Sequence, residues 1–124
     1  MKRFALAPCN GLSPNGLVAR VAVGDCREEC ENVISICMGS TSADIDGKND
    51  KMLKKQDIIA VNGCDNNCVN TILENRGIEV AKTINVGEVL NGFDVASHDS
   101  FRLDDEAEQC VSIIKEKLNE TVKN

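Results

Sequence analysis

The 124-residue chain has no Trp, no Tyr, three Phe, one His and two Pro. Without aromatic rings it lacks the platform on which single-stranded nucleic acid stacks. Positive charge is also short: 14 Lys and Arg face 20 Asp and Glu, for a net charge of −6. That balance argues against a partner bound through a phosphate backbone. The one basic cluster, Lys48, Lys51, Lys54 and Lys55, is expected to be a solvated face. No apolar run approaches the roughly 20 residues of a membrane helix. The apolar stretch before Pro8 is shorter than the roughly seven residues a signal-peptide core needs. No membrane partner is expected, and the expected location is the cytoplasm.

Nucleotide and catalytic signatures are missing as well. The loop Gly11-Leu12-Ser13-Pro14-Asn15-Gly16 has neither a P-loop Gly-Lys-Ser/Thr nor GxGxxG. A tight turn presenting Cys9 is expected there rather than a phosphate site. Asp44-Ile45-Asp46-Gly47 resembles a calcium loop only in part. Its Gly arrives too early and no bidentate Glu follows, so a turn is expected. His98 has no partner at ligand spacing and is expected to be exposed or capping. No acid–base dyad appears, and an enzymatic role is not favoured.

What the chain does have is cysteine: seven residues. The number is odd, and a reducing compartment does not keep thiols paired. Metal binding, thiol chemistry or simple burial remain open.

Length and pattern predict one domain over residues 1–124 with an aliphatic core and no need of disulfide staples. Short apolar runs alternate with amphipathic stretches. Strands are predicted at Arg3–Ala7, Val33–Cys37, Asp57–Val61 and Glu79–Ile84. Ser13-Pro14 starts a helix that runs to about Glu31. A short helix is expected toward Leu53. The next helix is expected from about Asp65 to Arg76, with Gly77 as its C-terminal cap. Asn85 caps a short helix ending before Gly92. The last helix starts near Asp104, with Ala107, Val111, Ile114 and Leu118 as its apolar stripe. This alternation predicts an α/β fold: a small three-layer, Rossmann-like sandwich on a mostly parallel four-stranded sheet. In such sheets ligands bind beyond the carboxyl ends of the strands.

Four thiols fall at that edge. Cys9 lies two residues past the first strand, Cys37 ends the second, and Cys64 lies three residues past the third. Cys68 is expected one helical turn beyond Cys64, on the same helix face. Neighbouring strands are about 4.8 Å apart, so short loops can bring these sulfurs together. Tetrahedral zinc takes such thiolates at about 2.3 Å. Helix N-termini would offset the negative charge of four thiolates around Zn²⁺. Cys26 and Cys30 have the same spacing but lie about 18 Å down the first helix. That puts them near the opposite edge, as surface or half-buried thiols or as a redox-sensitive pair. Cys110 is expected to pack in the core.

Pro8-Cys9-Asn10-Gly11, the strand-end Cys37, and Val61-Asn62-Gly63-Cys64 with Cys68 together resemble the DGC-domain family. Zinc binding is ascribed to that family through four hallmark cysteines. The resemblance covers nearly the whole chain, and Arg20 matches an Arg the family often carries on its first helix. It implies one Zn²⁺ held by Cys9, Cys37, Cys64 and Cys68 on a small α/β domain, and no established reaction. One departure stands out: the Asp of the family's Asp-Gly-Cys motif is Asn62 here. The charge at that position is gone, and with it any acid–base role.

Three functions are compatible with these residues. One is a zinc-binding module with a structural or metal-handling role. Another is a thiol-redox or metal-carrier protein using the same cysteines. The third is an iron–sulfur protein, ranked lower because no Cys-x-x-Cys-x-x-Cys run is present.

Overall fold

The computed structural model describes residues 2–123. Four strands form one parallel sheet: β1 (Phe4–Pro8), β2 (Val33–Ser35), β3 (Ile58–Asn62) and β4 (Lys82–Asn85), in the order β2-β1-β3-β4. The register pairs Leu6 with Ser35 on one side and with Ile59 on the other, and Asn62 with Asn85. Every residue of β3 is buried, as are Phe4 to Ala7 of β1. Near-continuous apolar strands suit a parallel sheet covered on both faces.

Six helices cover it: α1 (Pro14–Glu29), α2 (Met38–Ala43), α3 (Asp50–Leu53), α4 (Cys68–Asn75), α5 (Val86–Leu90) and α6 (Asp105–Val122). α1, α5 and α6 pack on one another. On the other side, Arg76 at the end of α4 donates to the backbone of Ser42 and Asp44 and to the Asp50 carboxylate. The result is the expected three-layer α/β sandwich, with a sheet that is parallel throughout.

Local chemistry explains most helix ends. Ser13 Oγ accepts from Gly16 N–H at 3.0 Å and Pro14 opens α1, where its missing N–H is no loss. Asp104 accepts from Ala107 N–H, and Asp105, Glu106 and Glu108 follow in the first turn of α6, complementing the helix dipole. α4 ends as expected on Gly77, at φ +69°, with Ile78 N–H bonded to Leu73 C=O and Gly77 N–H to Glu74 C=O. That is the Schellman pattern.

β4 begins at Lys82 rather than Glu79, and two further stretches differ from expectation in kind. The second strand stops at Ser35, and α2 begins directly after Cys37. Gly39, Ser40, Thr41 and Ser42 have weak helix propensity, so no local pattern marks α2. The cysteine itself nucleates it: Cys37 Sγ accepts from Ser40 N–H at 3.4 Å. The second difference concerns α4, which begins at Cys68 rather than near Asp65. Cys64 to Asn67 form a turn, with Asn67 N–H reaching Cys64 C=O, and Asn67 takes a left-handed φ of 50°. Asn is among the few residues that adopt this conformation readily. Cys64 and Cys68 therefore do not share a helix face.

Candidate metal centre

The order β2-β1-β3-β4 makes the chain reverse direction between β1 and β3. The carboxyl ends of those two strands are a topological switch point, where open α/β sheets bind ligands. Cys9 leaves β1 there, with its N–H on Val61 C=O at 2.8 Å. Cys64 leaves β3 beside it.

Two glycines let these exits meet. Gly63 lies against the first turn of α1. A Cβ on Gly63 would come within 2.5 Å of Gly16 N and 2.7 Å of Gly16 Cα. A Cβ on Gly16 would in turn fall 2.7 Å from the Gly11 carbonyl oxygen. The loop carrying Cys9, the start of α1 and the loop carrying Cys64 are thus in backbone contact. No other residue leaves space for that approach.

Asparagines brace the same edge from below. Asn62, 1% exposed, accepts Val69 N–H and so caps α4 from the end of β3. Its Nδ2 donates to Asn70 Oδ1, and Asn70 Nδ2 donates to Thr83 Oγ1. Asn85, its neighbour in register, donates to Cys64 C=O at 3.0 Å and accepts Glu88 N–H to cap α5. Both side chains are used by the backbone. Asn62 thus has a full structural role without a charge.

The four candidate thiols differ in surroundings. Cys9 is 5% exposed and its Sγ accepts Gly11 N–H at 3.3 Å. Cys64 is half-buried, while Cys37 and Cys68 are exposed. The Cys68 thiol is pushed up by partial desolvation, by the nearby Cys64 and Cys9, and by the Cys64 side chain as a partner that favours its protonated form. Cys64 and Cys9 therefore both lie near enough to Cys68 to act on it. Cys37 stands alongside the Cys9 loop: both Asn10 Nδ2 and Cys37 Sγ lie within 4.0 Å of the Cβ position of Gly39. As they stand, no three or more His, Cys, Asp or Glu side chains among the described residues are gathered closely enough to hold a metal ion. The donor chemistry suits a soft or borderline cation such as zinc. The sulfurs would have to be drawn together to close around it.

The other sequence candidates fall elsewhere. Cys30 caps the far end of α1, and its Sγ lies 3.5 Å from Asn119 Oδ1 on α6. Next to it, Asn32 bonds the backbone of Lys2 and Val122. This is the amino edge of the sheet. Cys110 is fully buried on α6. His98 is exposed and 3.4 Å from the Glu106 carboxylate. Asp44 uses its carboxylate to accept the N–H groups of Lys48 and Asn49, which makes the segment a turn. A groove of about 570 Å³ opens beside Cys64 and Ser13. Pro14 has no N–H and Gly16 gives its own to Ser13 Oγ, so the first turn of α1 offers an anion little.

Cys26 carries a measurable consequence. Burial, with Cys30 and Glu29 nearby, pushes its thiol up to about 12 from the ordinary 9.0. The folded state holds the neutral thiol, so stability is intact below pH 9 and is lost as pH rises toward 12. The expected loss at pH 10 is about 1.4 kcal/mol. Urea unfolding at pH 8 and 10, with Cys26→Ala as the reference, checks this. A variant as pH-sensitive as the parent would refute it.

Among the described residues, no helix is long and apolar enough to cross a membrane. Among known proteins, no curated sequence and no solved structure matches the chain. The family model described as the DGC domain matches residues 5–120, from β1 to the last turns of α6, and spans all four candidate thiols. The chain belongs to the DGC domain family.

Proposed function

We propose that the protein binds one Zn²⁺ through Cys9, Cys37, Cys64 and Cys68 and handles the metal rather than using it as a structural staple. The observation that carries the reading is the convergence of the Cys9 and Cys64 loops at the switch point of the sheet, with Cys68 close to both. The N–H groups of Gly11 and Ser40 are aimed at the Cys9 and Cys37 sulfurs, the kind of outer partner that orients a metal ligand. An aliphatic core running from Phe4 to Val122 does not need a metal to fold. Four thiolates would leave zinc no open position, which favours binding and transfer over hydrolysis. All seven cysteines are free thiols, consistent with a reducing compartment such as the cytoplasm.

A second reading is a dithiol redox function, favoured by the closeness of Cys64 to Cys68. One experiment separates the two. The protein is purified without added metal, its metal content and visible spectrum are recorded, and reactive thiols are counted before and after a chelator. About one zinc per chain is expected, with the four ligand thiols protected until chelation. The circular dichroism should stay native after the metal leaves. A metal-free protein whose Cys64 and Cys68 oxidise as a pair would favour the redox reading. A brown protein would favour an iron–sulfur cluster.

A further inference from the structure

We propose that Arg20 is a positioning residue for the cysteine edge, holding the Cys9 sulfur in place through Gly11. Arg20 lies on α1, beyond its first turn, and Nη1 donates to Gly11 C=O at 2.7 Å. Gly11 N–H in turn bonds Cys9 Sγ at 3.3 Å. A single residue therefore separates the bond made by the guanidinium from the bond made to the sulfur. The Gly11 carbonyl oxygen also packs 2.7 Å from the Cβ position of Gly16, so the loop is fixed on α1 at two points.

Among the described residues the guanidinium has no competing carboxylate. Among the described residues the ion pairs are Lys2–Asp57, Arg76–Asp50, His98–Glu106 and Lys115–Glu29. A half-buried Arg that bonds a backbone carbonyl and no acid keeps its positive charge for its surroundings. A hydrogen bond from a charged donor is roughly twice as strong as a neutral one. Its loss should free the 9–13 loop while β1 and α1 stay intact. A guanidinium beside this edge also offsets the net negative charge of four thiolates around a divalent ion. That last role rests on the zinc reading; the positioning role does not.

The test uses metal-free full-length protein and iodoacetamide, with labelling of each cysteine followed by mass spectrometry. Cys9 is almost fully buried and Cys26 is fully buried at the other end of α1, so Cys26 reports global opening. Arg20→Met keeps the length and helix propensity of the side chain. It should label Cys9 about tenfold faster with Cys26 unchanged, the scale expected for losing a charge-assisted hydrogen bond. Arg20→Lys, which can still donate to Gly11 C=O, should restore most of the protection. Unchanged Cys9 labelling in Arg20→Met would overturn the proposal. So would a rise that Cys26 shares equally. Because the labelling is done without metal, it decides the positioning role even if the parent protein binds no zinc, an outcome that would remove the zinc reading alone.

Discussion

Gly63→Ala is expected to destabilise the fold by about 3 kcal/mol, the upper end of the usual penalty for overpacking. Every close neighbour of the added methyl is backbone: Gly16 N at 2.5 Å, Gly16 Cα at 2.7 Å and Asn15 C at 2.9 Å. None can rotate away as a side chain would. Relief requires α1 to move off the end of β3, and α1 packs on both α6 and the sheet. For a chain of this length the loss corresponds to a fall of about 10 °C in melting temperature. Gly24→Ala is the matched control. Gly24 is exposed within α1, and a Cβ there meets nothing within 4 Å. The same substitution should there stabilise by about 0.8 kcal/mol, the ordinary helix preference for Ala over Gly. Opposite signs in urea unfolding would support the backbone contact. Two shifts of the same sign would show that Gly63 is not pressed against α1. The contact also joins the Cys9 and Cys64 exits, so zinc binding should weaken with stability in Gly63→Ala only.

Cys64→Ser should remove stoichiometric zinc, weakening it by ~100-fold or more, beyond the 10–100-fold typical of losing an outer partner of a ligand. Cys64 stands near Cys68, and its loop meets the Cys9 loop through Gly63, Gly16 and Gly11. Its backbone carbonyl is held by Asn85, so serine keeps the loop and changes only the donor atom. Cys30→Ser, at the opposite edge, should keep its zinc. Zinc per chain after gel filtration, measured at pH 7.5, checks both. Acidification should weaken binding in the parent, because each thiol must lose a proton to bind. The raised Cys68 thiol adds to that competition. A Cys64→Ser protein with a full zinc complement, or a Cys30→Ser protein without one, would show that the ligands lie elsewhere.

The departure at Asn62 also acquires a physical account. An Asp there could still accept Val69 N–H and cap α4. It could not donate to Asn70 Oδ1 as Asn62 Nδ2 does. The Asn70 amide would have to turn over, with its bond to Thr83 remade in the other sense. In this chain the asparagine ladder from Asn62 through Asn70 to Thr83 is satisfied without a charge beneath the cysteines.

Much of this was legible from the residues alone. Ser13-Pro14, Asn85 and Asp104 marked helix starts because capping is local chemistry, decided within about three residues. Apolar runs with few charges marked β1 and β3 as strands buried on both faces. The positions of Cys9, Cys37 and Cys64 after three such runs placed them at one edge, because parallel strands share a direction. The same logic sent Cys26 and Cys30 to the other edge. What the tertiary structure alone decided were contacts between residues far apart in sequence. Gly63 against Gly16, Asn62 capping a helix seven residues ahead, and Asn85 holding Cys64 leave no periodic trace. The start of α4 followed from these: with Asn67 in the left-handed region and Cys64 tied to Asn85, the turn must finish before the helix begins. Cys37 capping α2 was hidden because its acceptor is a sulfur and the helix it starts has weak propensity. Local pattern determined which edge of the sheet carries the thiols; the close approach of glycine backbones determined which of their loops touch.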